Sequence, residues 1–165
     1  MRRMTHALAL TFVAGLATAS LAAARPGAGI DVCHLLAAKQ ATAVRGVSAR
    51  CTNARPMPGP GSKIYTGNWK GTTPKSPGLQ VTVSLYTDQG ALALATRNLD
   101  QGLSGPPRKV AGIGSAAYEA TGAFSTGVRF ADGKYVVLVN VSGIGKPSWS
   151  TKSVEALAKA IAGRL

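Results

Sequence analysis

The chain carries two histidines and six carboxylates, and His6 falls in an N-terminal apolar leader, so His34 is the one imidazole left for chemistry. A Ser-His-Asp or Cys-His mechanism would have to run through it. His34 follows Cys33 in the first turn of an expected helix, where the positive helix end disfavours an imidazolium. It reads as a helix-surface residue beside the cysteine. A metal site would need carboxylate companions that the sequence does not gather around it. Of the carboxylates, Asp31 and Asp88 suit helix caps, Asp132 suits a turn, and Glu155 suits the first turn of a helix. Asp100 and Glu119 have no such role. A glycosidase needs two facing carboxylates, and no spacing here brings these two together. Gly112-Ile113-Gly114-Ser115-Ala116-Ala117 fits the dinucleotide fingerprint in letters only. That fingerprint lies between a strand and a helix, whereas this stretch follows Pro106-Pro107 and leads towards Tyr118. It reads as a tight turn. No catalytic residue, metal or cofactor is assigned.

What the residues do offer is a place for binding. Arg50, Arg55, Lys63, Lys70 and Lys75 are interleaved with Tyr65 and Trp69. Cations with aromatics between them hold anionic or sugar-containing ligands through charge and stacking. The competing reading places Tyr65 and Trp69 over the core and leaves the cations to solvate loops. With 19 basic residues against 6 acidic, the chain has a net charge of +13, a bias towards anionic partners.

The compartment narrows those partners. Arg2 and Arg3 precede an apolar run from Ala7 to Ala24, closing on Ala22-Ala23-Ala24 before Arg25-Pro26. This is the pattern of a secretory signal peptide, cleaved after Ala24 or after Ala19. The run is short and rich in small residues for a retained membrane span. No cysteine directly follows it, so the pattern does not fit a lipoprotein. Residues 25–165 are then expected to form a single exported domain, periplasmic or secreted. Outside the cell the plentiful anions are lipid headgroups and envelope polymers, and nucleic acid is not the expected target. In an oxidising compartment the two cysteines read as a disulfide. Asp31 can cap a helix from Val32 to about Arg45 that advances about 17 Å between Cys33 and Val44. An extended return over Gly46 to Cys51 covers a similar distance, bringing Cys51 back beside Cys33.

The remaining elements follow from periodicity. Pro56-Met57-Pro58-Gly59-Pro60-Gly61 excludes a helix or an inner strand. Ile64 to Trp69 suits a short strand, and Leu79 to Tyr86 alternates cleanly, with Leu79, Val81, Val83 and Leu85 on one face. Thr87 or Asp88 caps a helix that turns Leu92, Ala95 and Leu99 inward. Ala116 to Ala120 suits a short strand. Phe124 to Phe130 and Lys134 to Val141 flank Asp132-Gly133 as a β-hairpin. A last helix starts near Ser150 with a stripe of Val154, Leu157, Ala158, Ile161 and Leu165. The order α-β-β-α-β-β-β-α predicts an α+β domain: an antiparallel sheet of about four to five strands with helices packed on one face.

Four segments together resemble a known family. These are Asp31 to Leu36, the second cysteine at Cys51, Val110 to Tyr118, and the hairpin Val128 to Val136. The family is one of small bacterial exported proteins, many of them lipoproteins, known as a domain of unknown function. The resemblance covers most of residues 25–165. It implies a helix-first α+β domain with the two cysteines paired, and it carries no catalytic residue. The chain departs from it by lacking a lipidation cysteine and by the Pro/Gly-rich insert after Cys51. The sequence therefore reads as a non-catalytic, cationic exported binding module for an anionic envelope polymer or a partner protein. An inhibitor or accessory subunit of another exported protein, and a small hydrolase, are the alternatives.

Overall fold

A computed structural model describes residues 29–144 and 149–165; the leader and its cleavage sites lie outside the described residues. Eight strands form one sheet: β1 (Val47–Asn53), β2 (Met57–Gly59), β3 (Ser62–Gly71), β4 (Gly78–Tyr86), β5 (Arg108–Val110), β6 (Ala116–Thr121), β7 (Ser125–Asp132) and β8 (Tyr135–Ser142). Their spatial order is β1-β3-β4-β8-β7-β6-β5, with β2 also paired to β3. Every pairing is antiparallel.

The centre of this sheet is built by alternation. Val83, Val137 and Phe130 lie abreast on β4, β8 and β7, as do Val81, Val139 and Val128. All six are fully buried. A one-residue slip in any of these strands would turn its apolar set to the other face, so burial fixes the register. Asp132 pairs with Tyr135 across a two-residue loop, and Gly133 takes the positive φ (+53°) such a loop requires.

Over this first face lies the helix α3 (Thr151–Ala162), which buries Val154, Leu157, Ala158 and Ile161. Ser150 caps it by accepting from the Ser153 amide at 3.2 Å. The N-terminal segment covers the rest of that face with Val32, Leu35, Leu36, Ala41 and Val44. A Cβ on Gly67 would come within 2.9 Å of Val32 Cγ1, so the missing side chain in β3 is what lets this segment sit down on the sheet. Arg164, just past α3, donates to the Leu35 carbonyl at 2.9 Å and ties the two coverings together.

Three expectations require correction. The sheet has eight strands, not four or five, because three edge elements give little apolar signal. In β1 only Val47 is buried, and its register slips between Val47 and Cys51. β2 contains Pro58, tolerated on an edge where no ladder amide is needed. β5 is three residues long and largely exposed. Second, the helix expected from Val32 to Arg45 is broken. A 3₁₀ turn spans Val32–Leu35, Leu36 and Ala37 are extended, and a four-residue helix α1 covers Ala38–Ala41. The break is stabilised locally: Gln40 turns its Oε1 back to accept from the Ala37 amide at 2.8 Å. Third, helices occupy both faces. The helix α2 (Gln89–Arg97), capped by Asp88, packs with Leu99 on the reverse face against Ala131 and Val136. Arg129, on the reverse face of β7, holds the chain after α2 by donating to the Gln101 carbonyl at 2.8 Å.

The disulfide between Cys33 and Cys51 is present, with Cα atoms 5.6 Å apart. The expected extended return to Cys51 is present as the edge strand β1, but a 3₁₀ turn stands in place of the long helix. The bond spans 18 residues. Replacing both cysteines by serine should lower stability by about 3 kcal/mol in the chain-entropy account. Urea unfolding of C33S/C51S checks this, and an unchanged midpoint would show that the turn holds β1 without the bond.

Candidate functional site

The seven residues expected to bind separate into four places. Trp69 is 2 % exposed and Tyr65 5 % exposed, and both belong to the core beneath the N-terminal segment. They face the covered side of β3 because they share the phase of the buried Gly67. Neither indole nor phenol presents a stacking platform to a ligand, which favours the core-covering reading. Lys63 places its Nζ 5.6 Å from the centre of the Tyr65 ring. Lys63 and Arg55 lie towards the β2 end of β3, away from the other cations. Lys75 sits exposed in the β3–β4 loop.

Arg50 and Lys70 are brought together. They line one groove of about 590 Å³ with Ser48, Thr52 and Thr72. Lys70 also borders a second groove of about 380 Å³, which runs over the reverse face past Asn68, Gln80, Asn140 and Ser142. Strand alternation explains this surface. With Trp69, Leu79, Val81 and Val141 turned to the core, their neighbours Asn68, Lys70, Gln80 and Asn140 must face the other way. Gln80 donates to Asn68 at 3.1 Å, and Thr66 and Thr82 face each other at 3.5 Å one step along. No carboxylate lines either groove. The amides of this surface escaped the sequence reading, since polar residues alternating with valines signal only a solvent side. Their alignment across β3, β4 and β8 is a matter of register.

A second cluster involves Arg108, Glu119 and Glu155. Glu119 on β6 is 5 % exposed and faces the first turns of α3, which carry Glu155. Arg108 on β5 donates its Nε to Glu119 Oε1 at 2.8 Å, and its Nη2 contacts the same oxygen and Glu155 Oε1, the latter at 3.3 Å. Glu119 Oε2 is buried and finds no hydrogen-bond partner. A hydrogen bond to Glu119, followed by burial and the Glu119 charge, raises the Glu155 pKa above its ordinary value. The two carboxyls are thus placed to share a proton, which would also satisfy Glu119 Oε2. Glu119 finds its companion in Glu155; Asp100 stays exposed beyond α2.

His34 has an 86 % exposed side chain, with Nδ1 2.6 Å from Asp31 Oδ2. Asp31 accepts from Asn53 Nδ2 at 2.6 Å and from the Cys33 amide at 3.1 Å. The Asn53 bond is the main reason its pKa is lowered. Asp31 therefore fastens the turn to β1 beside the disulfide. The Gly112–Ala117 stretch is a turn leading into β6. Gly114 has φ +52°, and a Cβ there would lie 2.2 Å from the Ala131 carbonyl oxygen. Among the described residues no group of three His, Cys, Asp or Glu could hold a metal ion, and no helix is long and apolar enough to cross a membrane.

The carboxyl pair gives stability a defined pH dependence. Because the Glu155 pKa lies above its ordinary 4.5 in the fold, its contribution is fully present below about pH 4.5 and is lost as pH rises through the folded value. Asp31 works the other way: its contribution is present above its ordinary 3.8 and lost as pH falls through the lowered folded value. E155Q keeps a donor for Glu119 without needing a proton. Urea midpoints measured from about pH 4 to 8 should fall less steeply with rising pH in E155Q than in the parent protein. Parallel profiles would dismiss the shared proton.

The chain matches no protein-family profile, no curated protein and no solved structure.

Proposed function

We propose that the chain is an exported, non-catalytic binding module that holds an anionic polymer of the cell envelope across its reverse face. One observation carries the reading: Arg50 and Lys70 share a groove without carboxylates, and it continues through Lys70 onto the amides of Asn68, Gln80 and Asn140. Guanidinium and ammonium groups supply attraction, while side-chain amides both donate to and accept from a polymer's hydroxyls and acidic oxygens. A strand surface suits an extended ligand because successive outward residues repeat every two positions along it. The disulfide agrees with an oxidising destination, and the leader supplies the route.

A second reading, an accessory subunit that docks on another exported protein, is favoured by one feature. No described strand pairs with the outer edge of β1. An extended segment of a partner adds to such an edge through main-chain hydrogen bonds.

Binding of the exported, oxidised protein to dextran sulfate, titrated against salt, tests the first reading. Affinity should fall about tenfold or more between low salt and about 0.5 M, where the screening length shrinks to a few ångströms. R50E/K70E should lose binding, whereas R97E/K134E, with the same charge change on other elements, should lose much less. Equal losses in the two variants would reduce the effect to net charge and remove the groove from the account. A discrete protein complex indifferent to dextran sulfate would support the second reading instead.

A further inference from the structure

One end of the sheet gathers features that the groove does not use. Phe124, in the β6–β7 turn, is 62 % exposed, and Ile144, just past β8, is 82 % exposed. The two are neighbours, since the Gly143 amide donates to the Phe124 carbonyl at 3.0 Å. Gly143 also abuts Pro77 of the β3–β4 loop, its Cβ direction lying 3.4 Å from Pro77 Cα. Pro77 in turn presses on Gly46, whose carbonyl accepts from the Thr72 amide at 2.8 Å. The exposed cations Arg45 and Lys75 sit on these same loops. Lys152, also exposed, lies in the first turn of α3, where Thr151 reaches Thr121 at the end of β6. Glu155, which follows Lys152 on α3, and Glu119 on β6 are both engaged by Arg108.

We infer that this end of the sheet docks on an anionic phospholipid surface, with Phe124 and Ile144 entering the headgroup boundary and Arg45, Lys75 and Lys152 meeting lipid phosphates. A soluble polyanion would satisfy the cations and leave two large apolar side chains in water. A neutral protein surface would cover the apolar pair and leave the cations without partners. An anionic bilayer satisfies both at once, because its charge lies directly above its apolar layer. Basic side chains add to such binding by reaching phosphates while their stems lie along the boundary. The inference shares with the proposed function the excess of positive charge and the boundary at Thr72 and Ser142, but Phe124, Ile144, Arg45, Lys75 and Lys152 line neither groove.

Co-sedimentation with vesicles tests it, using the exported, oxidised protein. Partition should be clear on mixed phosphatidylglycerol–phosphatidylcholine vesicles and weak on phosphatidylcholine alone. F124S/I144S should bind the mixed vesicles about tenfold less or weaker still, as expected from losing two apolar side chains at the boundary. Both positions are exposed, so this variant should melt with the parent protein, and it should bind dextran sulfate as the parent does. Vesicle binding unchanged in F124S/I144S would overturn the inference, and so would a parent protein that ignores mixed vesicles. R50E/K70E separates the two proposals: loss of dextran sulfate with vesicle binding kept supports both surfaces as distinct. Loss of vesicle binding in R50E/K70E, with F124S/I144S unaffected, would assign the lipid contact to the groove and end this inference.

Discussion

The structure depends on the register of three strands. β4, β8 and β7 lock together because valines and Phe130 from each must lie abreast on the covered face. Burying side chains of this size stabilises by roughly 1.5–3 kcal/mol each, so a slipped strand would forfeit several such contributions at once. Everything else on the sheet inherits its direction from that choice. α3 and the N-terminal segment are placed where the apolar face needs cover. The polar stripe of the reverse face is placed by default, as the other half of the same alternation. The proposed binding surface is thus a by-product of core packing, and its amides are aligned by the force that buries the valines.

That dependence explains which parts of the protein could be read in its sequence. Leu79 to Tyr86, the Asp132-Gly133 hairpin and the stripe from Val154 to Ile161 carry their periodicity within a single segment, and each was legible. β1, β2 and β5 were not, because an edge strand is exposed on its rim and owes its conformation to a neighbour's hydrogen bonds. The N-terminal stretch shows the opposite failure. Its apolar residues suit a helix, but the disulfide, Asp31 with Asn53, and the Gln40 side chain hold it as two short turns with an extended break. Tertiary contacts there outweigh a helical preference worth only tenths of a kcal/mol per residue. The site was half legible. The cations Arg50 and Lys70 could be named, but their meeting in one groove, and the removal of Tyr65 and Trp69 into the core, follow from strand phase and pairing.

The distribution of charge follows a similar logic. The six carboxylates are few, and most are occupied in holding the fold. Asp31 fastens the turn to β1, Asp88 caps α2, and Asp132 borders the hairpin loop. Glu119 and Glu155 join β5, β6 and α3 through Arg108. Among the described lysines and arginines, Arg108 is the one in ion pairs with these acids, and His34 Nδ1 contacts Asp31. Among the described residues the other lysines and arginines pair with no carboxylate, although Arg129 and Arg164 bond backbone carbonyls, so most of their charge faces the surface. The cluster acts as a fastening, since the Arg108 guanidinium offsets the negative charge that burial of Glu119 would otherwise penalise.

The two proposed contact surfaces adjoin and differ in chemistry. The reverse-face grooves offer cations and amides in a row, suited to a chain that lies along the strands. The loop end offers cations around two apolar side chains, suited to a surface that is charged above and apolar below. The patches adjoin at the β3–β4 loop, since Thr72 and Gly78 border the grooves and flank the segment that carries Lys75 and Pro77. A rigid sheet therefore presents both patches in a fixed relation, and engagement of the loop end would orient the reverse face relative to the lipid surface. Two weak contacts held in fixed geometry act together as one stronger contact, since the second forms at the high effective concentration set by the first.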